Sequence, residues 1–221
     1  MVYGAVVHRG SGECGGGRAG VCSVGPPAKI LTNPIIRLEF VTHVKYPTLV
    51  IIRHMLIFDA STLILVARIE ILDRFVDAIP MKTFIPKEVE RESCSVKKTL
   101  DALQIQRAVD QSRIRVLAVK DKRLVTKLQA DFALGKGEAE AISLALAQDA
   151  KLIAIDDKNG INACKLLGLA FTTALGILIR SYDEGMISVT DARGKMEMLK
   201  QFGRYKRSII EDARLRLETG K

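Results

Sequence analysis

From residue 55 onward, short apolar runs alternate with stretches of helical periodicity. The run 55–58 ends abruptly at Asp59, the pattern of a central parallel strand. Residues 61–67 and 70–78 read as helices, the second with Ile71, Leu72, Phe75 and Val76 on one face. A second strand is predicted at 83–85, with Pro86 as the first residue of the next helix. A polar amphipathic helix follows at 96–111, then a third strand at 114–119 and another helix. The sequence Gly135-Lys-Gly137 opens an alanine-rich helix, 138–148. Strands at 151–155 and 169–172 alternate with helices at 159–167 and 175–182, and two basic helices close the chain near 190–202 and 206–218. Strands separated by helices imply right-handed crossovers. The expected architecture is a three-layer α/β/α sandwich on a mainly parallel sheet of about five strands.

Residues 1–54 have a different character. They hold His8, His43 and His54, the only three histidines, together with eight of the seventeen glycines, four of the six prolines and no aspartate. This segment is expected to be an extension, largely disordered or not native, with Met55 as the functional start. Residues 55–185 form the expected catalytic domain, and 186–221 basic helices packed on it. Without a histidine after residue 54, the main body has no Ser-His-Asp triad or Cys-His dyad of its own. Its chemistry must rest on carboxylates, Lys, Tyr or Cys.

The 221 residues carry 34 Lys and Arg against 25 Asp and Glu, a net charge of +9 that favours polyanionic partners. Four cysteines, Cys14, Cys22, Cys94 and Cys164, lack C-x-x-C or zinc-finger spacing. Their spacing argues against a disulfide framework and for a reduced, cytoplasmic setting, with Cys94 and Cys164 packing as small apolar residues. No apolar run reaches the roughly 18 residues of a spanning helix, so no membrane is expected as a partner.

In a parallel sheet, functional groups gather beyond the carboxyl ends of the strands. Asp59 and the pair Asp156-Asp157 fall at such ends. Each has an ordinary alternative, Asp59 as a helix N-cap and the pair as a polar turn. On the helix after Pro86, Val89 should face the sheet, and Glu92 lies about 60° from it, against about 100° for Glu88 and Glu90. Glu92 is therefore the glutamate expected to point inward. Glu138 shares a face with Ala141, Ile142 and Ala145, with Glu140 opposite. That helix is apolar nearly all round, so at least one of its glutamates must enter a packed environment.

Read in order, these residues resemble the PIN-domain family of metal-dependent nucleases, over 55–185. Met55-Leu-Ile-Phe-Asp-Ala-Ser-Thr-Leu-Ile64 is similar to the family's opening strand and acid, and Ile85-Pro-Lys-Glu-Val-Glu-Arg-Glu92 to its "P…V-x-x-E" helix. Gly137-Glu-Ala-Glu-Ala-Ile142 resembles a form found in a prokaryotic branch, the VapC-like ribonuclease toxins. Leu152-Ile-Ala-Ile-Asp-Asp-Lys158 is similar to the last acidic strand, with Lys158 favouring Asp157 over Asp156, and Thr173-Ala-Leu-Gly-Ile-Leu178 to that branch's "G-T-L-G-V-L". Two positions depart from the pattern: Ile155 replaces a Thr or Ser, and Thr172 a Gly.

The resemblance implies a catalytic set of Asp59, Glu92, Glu138 and Asp157. It also implies an endoribonuclease activity, frequent homodimers and restraint by a small antitoxin protein. Four converging carboxylates repel one another, by about 4 kcal/mol for a pair 4 Å apart at an effective dielectric near 20. Cations relieve that repulsion, and oxygen-only ligands select Mg²⁺ or Mn²⁺. The expected ligands are Asp59 and Asp157, with Glu92 and Glu138 touching the ion or its water, Asp156 in an outer position and Ser61 orienting Asp59. Basic residues supply a candidate RNA track: Lys97, Lys98 and Arg107, then Arg204, Lys206 and Arg207 around Tyr205, the one aromatic available there for stacking. Such runs are also ordinary solvated helix faces. A catalytically silent PIN-like module binding nucleic acid or protein is the alternative in another class. A receiver-type phosphoacceptor would want an acid pair near the first strand, where this chain offers Asp59 alone.

Overall fold

The computed structural model describes residues 54–95, 99–203 and 205–219, all within the unit Leu49–Lys221. The expected extension therefore lies outside the described residues, apart from His54. Five strands, β1 (Met55–Phe58), β2 (Lys82–Pro86), β3 (Ile114–Leu117), β4 (Leu152–Ala154) and β5 (Phe171–Thr172), form one parallel sheet in the order β3-β2-β1-β4-β5. The connections after β1 run to one side of it and β4 lies on the other. The gap between the carboxyl ends of β1 and β4 is thus the topological switch point.

Around the sheet stand α1 (Ala60–Arg68), α2 (Leu72–Ala78), α3 (Lys87–Glu90), α4 (Leu100–Asp110), α5 (Lys122–Phe132), α6 (Lys136–Gln148), α7 (Lys158–Leu166), α8 (Ala174–Asp183), α9 (Val189–Phe202) and α10 (Arg207–Thr219). Alternate strand residues feed two cores, as the period of two requires. Leu56, Phe58, Ile85 and Ala154 pack with α1, α2, α8, α9 and α10. Met55, Ile57, Phe84, Ile153 and Ile155 pack with α5, α6 and α7. The closing helices are part of this first core, through Met196, Leu199, Ile210 and Leu217.

Three boundaries differ from the sequence expectation, each for a local reason. Glu70 takes a left-handed conformation at φ 57° and holds α2 back to Leu72. Pro86 ends β2 and caps α3 rather than opening the helix. The helix after it widens at once into a π-helical turn, Arg91–Ser95, so a strict spacing of about 100° per residue does not carry from Val89 to Glu92. Elsewhere α5 stops at left-handed Ala133 and α6 at left-handed Asp149.

Both residues that depart from the family pattern lie against a glycine. Ile155 is fully buried, and its Cδ1 lies 2.3 Å from where a side chain at Gly160 would begin. Thr172 Oγ1 lies 2.7 Å from the same point on Gly176.

Candidate active site

Asp59 stands at the switch point. It caps α1, with Oδ1 accepting from the Thr62 backbone N–H at 2.8 Å and Oδ2 from the Ser61 hydroxyl at 2.6 Å. Its own N–H donates to the Ala154 carbonyl at 3.0 Å, tying the end of β1 to the end of β4. The residue is 0% exposed. Burial pushes its carboxyl up to about 7 against the pull of the Ser61 and Thr62 bonds, and the charge of Asp156 adds to the rise. The N-cap and the buried acid are one residue.

The acid pair after β4 divides its work. Asp157 caps α7, its Oδ1 accepting from the N–H groups of Asn159 at 2.7 Å and Gly160 at 3.2 Å. Asp156 has both oxygens engaged: Oδ2 accepts from Ala174 N–H at 2.8 Å, at the start of α8, and Oδ1 from the Tyr205 hydroxyl. Burial raises the Asp156 carboxyl and these two bonds oppose the rise. Burial also drives the Tyr205 hydroxyl far up, with the charge of Asp156 behind it. Tyr205 is thus an acid-site hydrogen-bond donor, not the free stacking ring suggested by its basic neighbours.

Glu92 leaves the π-helical turn and lies against Gly137 in the first turn of α6. A Cβ on Gly137 would sit 2.8 Å from Glu92 Oε2. One residue on, Glu138 turns back to accept the Gly135 N–H at 3.0 Å, the return half of a capping box. Burial raises both carboxyls; Asp157 and Glu92 then push Glu138 higher, while Glu88 pushes Glu92 up against the pull of Arg91 and Lys136. Glu138 thus lies within electrostatic reach of Asp157 and Glu92, and Asp59 within reach of Asp156. Among the described residues, none of these five acids forms an ion pair with a lysine or arginine.

The oxygen-only donor set and its unbalanced charge fit a hard divalent cation. Among the described residues, however, no three His, Cys, Asp or Glu side chains come close enough to hold an ion directly between them. Mg²⁺ tolerates this, since it keeps several waters and takes only one or two carboxylates.

Two glutamates that the sequence pattern did not single out are buried. Glu140 is 3% exposed and pairs with Lys122 at 3.0 Å; Glu88 is 8% exposed and pairs with Lys136 at 2.9 Å and Arg91 at 2.5 Å. Glu92, expected to be the inward one of its helix, is only partly buried. Ion pairing corrects the expectation, because a carboxylate can enter the packed side of a helix when cations follow it. The Arg91 and Lys136 bonds hold the Glu88 carboxyl down at about 2. The signal available for Glu140 was the helix that is apolar all round.

Of the predicted RNA-track residues, the described ones stand on α4 and at the start of α10. Arg107 on α4 is paired with Asp73 at 2.6 Å, and Arg207 with Glu211 at 2.7 Å, while Lys206 is exposed. Lys97, Lys98 and Arg204 lie outside the described residues. Cys164 is buried and free, its thiol raised by burial to about 11, and Cys94 is free and partly buried. Among the described residues, no helix is long and apolar enough to cross a membrane.

A family model described as a PIN domain matches residues 55–218, reaching through α9 and into α10. No curated protein matches the chain.

Proposed function

The chain belongs to the PIN-domain family, whose fold is that of nucleases, and on that premise we propose that it is an endoribonuclease dependent on Mg²⁺ or Mn²⁺. The supporting observation is two groups of like charge, Glu138 with Asp157 and Glu92, and Asp59 with Asp156, in no ion pair among the described residues and with Asp59 wholly buried. A divalent ion bound there supplies water activation and charge neutralisation for in-line phosphodiester hydrolysis. Asp59 and Asp157 are the direct ligands in this reading. Glu92 and Glu138 would help hold the ion through water, and the Ser61 hydroxyl, bonded to Asp59 Oδ2, orients that carboxylate. Asp156, bonded to the Ala174 N–H and the Tyr205 hydroxyl, holds α8 and Tyr205 in place and takes an outer position in this reading.

The Gly137-Glu-Ala-Glu-Ala-Ile142 helix supports a finer reading as the toxin of a toxin–antitoxin pair in the cytoplasm, with a second copy of the chain and a small antitoxin as partners. The test incubates the full chain with end-labelled single-stranded RNA in Mn²⁺ or in EDTA. Internal cleavage in Mn²⁺ alone, lost in Glu138→Gln, supports the endoribonuclease. RNA retained uncut in both, but still bound, assigns the silent binding module instead.

A further inference from the structure

Arg91, Lys122 and Lys136 differ from the other exposed cations in what holds them. Lys127, Arg180 and Lys200 pair three or four residues along the chain with acids whose side chains are 46%, 39% and 46% exposed. Arg91, Lys122 and Lys136 pair with carboxylates only 10%, 4% and 10% exposed, while their own side chains are 58%, 66% and 56% exposed. The two anchors are joined, since the Glu88 N–H donates to Glu140 Oε2 at 3.4 Å. Three elements, α3 with its π-helical turn, α5 and α6, thus present cationic heads fixed from below.

We propose that Arg91, Lys122 and Lys136 form a prebuilt phosphate-binding rim for the RNA strand, set on the buried pair Glu88 and Glu140. The proposal rests on the endoribonuclease reading. Stability alone is a poor reason to bury two glutamates, because well-packed apolar residues serve a core as well or better. Fixing the stems of long cationic side chains in advance lowers the entropy lost when a phosphate binds. One bond to the anchor uses one of the three protons of a lysine ammonium, and an arginine has five donors. The rim also stands beside the acids, since Arg91 precedes Glu92 in sequence and Lys136 precedes Gly137, against which the Glu92 carboxylate lies. Three cations on two acids leave one net positive charge beside the acid cluster, which by itself repels a polyanion.

The test is fluorescence anisotropy of a labelled single-stranded oligouridylate with the full chain, in EDTA, across a salt series. Three lost phosphate contacts reduce the slope of log K against log salt by about 2, at about 0.7 per contact on a single strand. The Arg91→Gln/Lys122→Gln/Lys136→Gln variant is expected to show that drop. The Lys127→Gln/Arg180→Gln/Lys200→Gln variant, with the same change in net charge, is expected to keep most of the slope. Equal losses in both reduce the effect to net charge and overturn the rim. Because the first variant leaves two glutamates without cations, Glu88→Gln/Lys136→Gln serves as a charge-balanced check. It is expected to bind RNA at least threefold more weakly, and unchanged affinity overturns the proposal. A wild-type chain that binds no RNA, with EDTA or Mn²⁺ alike, contradicts the endoribonuclease reading itself.

Discussion

Glu92 lies so close to Gly137 that a methyl group on that glycine would meet its Oε2 at 2.8 Å and its Cδ at 3.2 Å. The carboxylate occupies the space a side chain on α6 would take. Alanine is a better helix former than glycine by up to about 1 kcal/mol, so Gly137→Ala should leave the melting temperature unchanged or raised. It should displace Glu92 and lower RNA cleavage by about tenfold or more, which a side-by-side melt and cleavage assay reads. Full activity in a stable Gly137→Ala protein means that the position of Glu92 does not matter.

Asp156 and Asp157 are neighbours in sequence with different roles. Asparagine caps helices about as well as aspartate, so Asp157→Asn should keep α7 and most of the stability while abolishing cleavage. Asp156→Asn puts an amide at a site that now accepts from both Ala174 and Tyr205. At least one of those bonds must be lost or reversed in direction, and the variant should melt lower than Asp157→Asn. Urea denaturation of the two proteins makes the comparison, and the reverse order of stabilities contradicts the division of roles.

Tyr205→Phe removes the donor to Asp156 Oδ1. Leaving one buried acceptor unmet costs roughly 1–3 kcal/mol, and the loss should appear in chemical denaturation. A change below about 0.5 kcal/mol indicates that this bond does not anchor the segment between α9 and α10.

The raised Asp59 carboxyl sets a pH dependence for the metal-free protein. Its folded value of about 7 exceeds the unfolded one, so the folded state holds the proton more tightly. The resulting stabilisation is fully present below roughly pH 4, the unfolded aspartate value, and is lost as pH rises to about 7. Melting in EDTA should therefore weaken across that window. Asp59→Asn, which cannot titrate, should flatten the trend. Metal favours the ionised form, so Mn²⁺ affinity should rise with pH over the same range.

The sheet and its acids were legible because the strands are short apolar runs between helices, and the central two, β1 and β4, each end at an acid. Asp59 and Asp157 sit where the pattern put them, and their N-cap roles came from the same positions. Glu88, Glu140 and Tyr205 were not legible in the same way. Their placement depends on partners 48, 18 and 49 residues away, Lys136, Lys122 and Asp156, and no local period encodes a distant cation. The π-helical turn at Arg91–Ser95 further upset the angular reading of Glu92, since a wheel assumes an undistorted helix.

The most direct measurement is thermal unfolding of the full chain with and without Mn²⁺, for the wild type and for Asp59→Asn. An ion at 100 times its Kd stabilises the folded state by about 2.7 kcal/mol. A clear rise in melting temperature for the wild type, absent in Asp59→Asn, is the expected result. No rise in the wild type, or an equal rise in both proteins, contradicts a divalent metal site built on Asp59.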